Sequence, residues 1–165
     1  MFGEFRGLPL HVLVVHAAVI FVPLAALCAI LFVALPRWRY QLRWPLVVLT
    51  VISFVNVLVA VQSGLTFRSD LGLTGAAIDH HQSLAKTLRL LMIGFTVVSL
   101  AAAWVLGGSS GFRSGRGERA AVGPRLLRYA VGALLVVAAV VVIAQVVRTG
   151  EAGSRVVYPQ YPTGS

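Results

Sequence analysis

The chain has 165 residues, of which 58% are hydrophobic and 12% charged, and its mean hydropathy is +0.88. That leaves too little polar surface to coat a soluble globule of this size. The formal charge of +9 does not indicate nucleic acid, because the basic residues flank apolar runs instead of covering a polar face.

Four apolar runs follow in order, at about residues 10–35, 44–63, 84–106 and 126–147. Each is long enough to cross a hydrocarbon core of ~30 Å at about 1.5 Å per residue. A backbone in lipid must satisfy its own hydrogen bonds, and the alternation of barrel strands is absent, so helix is the expected state. The fold class is therefore all-α, an integral membrane bundle of four transmembrane helices, forming a single membrane domain over residues 1–165. The first run is too long for a signal-peptide core and is preceded only by Arg6 beside Glu4, so it is expected to be retained.

Within the first run, Cys28 is the single cysteine and reads as a packing residue. Pro23 removes the bond to the carbonyl of Val19 and predicts a kink. Pro45 and Pro124 sit near the starts of spans two and four, where a missing N–H costs little. Trp38, Tyr40 and Trp44 cluster at the boundary of spans one and two, and Trp104 marks the same boundary for span three, as amphipathic rings at an interface do. The connection 107–124, rich in Gly, Ser and Arg, reads as a flexible cytoplasmic loop, and 150–165 as an extracytoplasmic tail, extended from Tyr158. No internal repeat stands out.

Orientation follows from the basic residues beside each span. Arg37, Arg39, Arg43, Arg113, Arg116, Arg119, Arg125 and Arg128 fall on one side, against Arg6, Arg68, Lys86, Arg89, Arg148 and Arg155 on the other. The larger group marks the cytoplasm, which places both termini outside it. All but one of the 14 basic residues are arginine, and with many Ala, Val and Gly this suggests a GC-rich bacterial source and a plasma-membrane location.

The same topology collects the polar residues of the spans at the extracytoplasmic end: His11, His16, Gln62, Ser63, His80, His81, Gln145 and, just beyond, Glu151. Burying such groups costs energy, so they are the pointers to function. His11 and His16 are about 140° apart on a helix and cannot both face one partner. His16 shares a face with Pro23; Ser53, Asn56, Ala60 and Ser63 or Gly64 form a small polar stripe suited to close helix contact; His81 lines up with Ala85, Leu88 and Met92, and Gln145 with Ala138. This places His16, Asn56, His81 and Gln145 toward the bundle interior.

No complete catalytic motif occurs, and HxxxH, HExxH and CxxCH patterns are all absent. The leading reading is a non-enzymatic accessory or structural component, with the lipid bilayer as its partner and a larger membrane complex or homo-oligomer as its setting. The rival is a membrane redox protein, since paired neutral imidazoles from facing helices are common ligands for haem b or a metal. Its cofactor ligands would be His11, His16 and His81, and a metal would take His16, His81 and Glu151. A transporter ranks third, because no intramembrane acid or pair of broken helices is present.

Several segments together resemble a known family. Gly7-Leu8-Pro9-Leu10-His11-Val12-Leu13-Val14-Val15-His16, continued by Val22-Pro23-Leu24-Ala25-Ala26-Leu27, is similar to the opening signature of the bacterial domain-of-unknown-function family 2231. Gln62-Ser63-Gly64, His81-Gln82-Ser83-Leu84-Ala85 and the closing Thr149-Gly150-Glu151-Ala152-Gly153 resemble its later motifs in order. The resemblance implies a four-helix membrane protein and carries the family's motif histidines onto His11, His16 and His81. It implies no particular activity. This chain departs from the family pattern at Val12, Leu65 and Glu151, the last standing where relatives close with histidine, which favours a hard metal over haem at that position.

Overall fold

A computed structural model describes residues 4–5, 8–108 and 121–157. Two short strands, β1 (Glu4–Phe5) and β2 (Leu8–Pro9), pair antiparallel ahead of four helices: α1 (Leu10–Ala34), α2 (Arg39–Asp70), α3 (Ala76–Val105) and α4 (Arg125–Val157). All four helices are long and apolar enough to cross a membrane. Large apolar side chains such as Ile20, Val55, Leu90, Val97 and Val137 lie exposed around the bundle, a surface suited to lipid and not to water.

Helices α2, α3 and α4 run past the apolar cores that define their spans. Polar side chains carry the helix onward by bonding to carbonyls of the preceding turn: Thr66 to Gln62 at 3.3 Å, Ser83 to His80 at 2.7 Å and Ser154 to Glu151 at 2.8 Å. At the end of α2, Gly72 takes a positive φ of 59°. The N–H groups of Gly72 and Leu73 then donate back to the carbonyls of Ser69 and Arg68, a glycine-closed helix end. Arg68 ties the same corner to α3 through Asp79 at 2.7 Å and through the side-chain oxygen of Gln82. Pro23 lies inside α1, which continues on both sides of it. The connection 107–124 lies largely, and the tail from Tyr158 wholly, outside the described residues.

Packing follows the order of the chain. Helix α1 pairs chiefly with α2 and α3 with α4, while α1 with α4 and α2 with α3 share smaller, matching interfaces. The core is filled by Phe32, Leu46, Met92, Phe95 and Leu135, with alanines of α1 allowing close approach. Ser53 lies 2.8 Å from the carbonyl of Phe21 and 2.7 Å from that of Leu49, sharing one proton between a neighbouring helix and its own.

The two hairpins repeat one another, which the sequence did not show. The spacing that relates His11 to His81 also relates Ala18 to Leu88, Val22 to Met92, Ala25 to Phe95, Ala29 to Ser99 and Phe32 to Ala102, and both members of each of these five later pairs are buried. A second constant spacing relates Leu46 to Leu135, Thr50 to Ala139, Ser53 to Val142 and Val57 to Val146, again with both members buried. Hairpin α1–α2 and hairpin α3–α4 are thus related by a pseudo-two-fold axis running along the bundle.

Candidate functional site

One end of the bundle receives the starts of α1 and α3 and the later turns of α2 and α4. Here the pseudo-symmetry extends from burial to chemistry. The Nδ1 of His11 lies 3.2 Å from the carbonyl oxygen of Ala60, and the Nδ1 of His81 lies 3.1 Å from that of Thr149. Ala60 and Thr149 are mates under the second spacing. A carbonyl only accepts, so each bond requires a proton on Nδ1, and in the neutral ring Nε2 then carries the lone pair.

A glycine makes each approach feasible. One helical turn beyond each accepting carbonyl stand Gly64 and Gly153, themselves mates. A Cβ at Gly64 would lie 2.9 Å from Cε1 of His11, and one at Gly153 would lie 3.1 Å from Cε1 of His81. Each imidazole therefore lies across one turn of the neighbouring helix, bonded at its near end and packed where a side chain is missing. The two rings thus hold equivalent places at one end of the bundle, one in each hairpin.

The surroundings of the two rings differ. His11 also has Ser63 Oγ at 3.3 Å from Nδ1 and the Phe67 ring stacked with its centroid 6.0 Å away. Beside His81, Gln145 donates from Nε2 to the carbonyl of Leu84 at 3.1 Å, and Thr149 donates to the carbonyl of Gln145 at 2.8 Å. Gln145 and Thr149 are buried.

The sequence-derived residues divide accordingly. His11 and His81 take matching positions at this end, each against the neighbouring helix of its hairpin; His16 does not share that arrangement, because the helical offset from His11 turns its side chain to the exposed side of α1. That corrects the inward placement of His16. Gln145 is buried as expected, while Asn56, its mate, is half-buried and makes no hydrogen bond among the described residues. Glu151 is exposed, on the face of α4 opposite Thr149 and Gly153. The set His16, His81 and Glu151 is therefore not assembled, and no group of three or more His, Cys, Asp or Glu suited to a metal occurs among the described residues. Sequence reasoning set Ala60 and Gly64 in a helix-contact stripe without linking them to His11, and missed the contributions of Thr149 and Gly153, although a glycine one turn after the accepting carbonyl in both hairpins was a signal available to it.

A family described as "predicted membrane protein (DUF2231)" matches residues 7–161, which takes in all four helices and every residue of this site. No curated protein and no solved structure matches the chain.

Proposed function

The chain belongs to the DUF2231 family of predicted membrane proteins, and we propose that it is a redox component holding haem b between His11 and His81. One observation carries this reading: both imidazoles commit Nδ1 to a backbone carbonyl of the adjacent helix, leaving Nε2 of each free to ligate. Histidines that bind metal are commonly fixed in this way by the partner of the other ring nitrogen. Two protein ligands are too few for the usual tetrahedral zinc site, whereas His11 and His81 would suffice to hold haem b. The group would supply one-electron chemistry. The protein would fix both rings through the bonds at Nδ1.

A single redox group near one face serves best in company, so the chain acts as an accessory component of a larger membrane complex. Its setting is the bacterial plasma membrane with the histidine end outside the cytoplasm, a reading supported by the excess of arginine at the opposite end. Cysteine labelling tests the orientation: position 81 should react from outside and positions 113–119 from the cytoplasm.

The test of the site is an absorption spectrum with iron analysis on protein purified in mild detergent from an iron-supplied host. A Soret band with about one iron per chain, lost in both His11→Ala and His81→Ala, is the expected result. A colourless, iron-free protein would end the redox reading and leave the histidines as ties between helices in a structural accessory.

A further inference from the structure

The opposite end of the bundle carries a second pair of mates. The spacing that relates Gly64 to Gly153 also relates Arg39-Tyr40 to Arg128-Tyr129. As with the histidines, the two arginines stand at one end of the bundle, and both line one cavity. It has a volume of about 250 Å³ and is lined by Pro36, Arg39, Leu106, Arg125, Arg128 and Tyr129.

Among the described residues the lining of this cavity is one-sided in charge, with three arginines and no acid. Arg39 donates from Nε to the carbonyl of Phe32 at 2.9 Å and from Nη2 to that of Val33 at 3.1 Å, which fixes its guanidinium and leaves Nη1 uncommitted. The Arg128 N–H donates to the carbonyl of Pro124 at 3.3 Å, while the guanidinium groups of Arg125 and Arg128 have no hydrogen-bond partner among the described residues. Both residues stand on the first turn of α4, whose leading N–H groups add positive potential. Of the chain's five acids, Glu4, Asp70, Asp79 and Glu151 lie at the histidine end. Like charges gathered around a cavity cost energy unless an anion sits among them.

Depth in the bilayer indicates what that anion is. Trp38, Trp44 and Trp104, the only tryptophans in the chain, stand exposed at this end together with Tyr40 and Tyr129. Such rings settle at headgroup level, where lipid phosphates are found. We propose that Arg39, Arg125 and Arg128 bind the phosphate of an anionic lipid headgroup in this cavity. Guanidinium matches phosphate oxygens through paired, charge-assisted hydrogen bonds, which suits arginine to the task.

The test uses the full chain in detergent. Native mass spectrometry during titration with phosphatidylglycerol, against phosphatidylcholine as the zwitterionic control, reads retention of lipid; thermal melting with inorganic phosphate reads the free anion. Wild-type protein is expected to retain phosphatidylglycerol in preference to phosphatidylcholine. Arg128→Gln should weaken that retention by roughly 10- to 100-fold, the effect of removing a hydrogen bond to a charged group. Arg37→Gln, which alters an exposed arginine outside the cavity lining, should leave it unchanged. Stabilisation by inorganic phosphate that Arg128→Gln removes, without preference between the lipids, would keep the anion site and replace the headgroup by a free anion. Equal loss in Arg37→Gln and Arg128→Gln would reduce the effect to general charge and overturn the proposal. So would binding that neither variant alters, the result expected if a carboxylate of the chain itself filled the cavity.

Discussion

The two hairpins bury matching positions yet secure their histidines by different means. In α1–α2 the ring of His11 is held from the side, by Ser63 and the face of Phe67. In α3–α4 the ring of His81 is held from below, because Gln145 and Thr149 lock the turn that accepts it. What both share is the histidine, the accepting carbonyl and the glycine one turn on. The common elements are those that set the imidazole geometry; the differing ones only stiffen it.

Replacing the histidines bears hardest on this comparison. If the rings are equivalent ligands, His11→Ala and His81→Ala should each abolish the Soret band, while His16→Ala, on the exposed side of α1, should retain it. A spectrum that survives one of the first two changes would break the equivalence.

The glycines come next. Gly64→Ala puts a Cβ 2.9 Å from the His11 ring, against 3.1 Å for Gly153→Ala and the His81 ring. Each should destabilise the bundle by about 1–3 kcal/mol through overpacking, with Gly64→Ala the worse, as read by melting in detergent. The reverse order would mean that the Phe67 side yields more readily than the distances imply.

Smaller effects come from the amides. Gln145→Ala removes a bond between α3 and α4 and should cost about 0.6 kcal/mol, the average for such bonds in membranes. Asn56→Leu should be close to neutral, since its shorter side chain makes no bond. Asn56→Gln restores the missing methylene, and a rise in melting temperature would show that the first hairpin can adopt the tie of the second.

The spans were legible because length and apolarity decide them, and the single-sided gathering of polar residues followed from the same pattern. The phase of α1 was not legible. That helix is apolar on every side, so no polar stripe shows which histidine faces inward. The full length of α2 to α4 also escaped, because the last turns of α2 and α4 and the first turns of α3 lie beyond the lipid-like segments. The repeat was hidden for a further reason. Its mates share burial more often than identity: Ala18 answers Leu88, Ala25 answers Phe95, and Phe32 answers Ala102. Residues of different size occupy equivalent buried places, which conceals the relation from a reading of residue types.

The pseudo-two-fold axis has a spectroscopic consequence. A flat group seated on it meets nearly the same walls after a half-turn, with His11 and His81 exchanging sides. Haem b lacks that symmetry in its own substituents. It would enter as two orientational isomers of similar energy, giving paired methyl resonances in an NMR spectrum. Their intensity ratio would measure how far Phe67 on one side and Thr149 on the other have made the two halves of the site unequal.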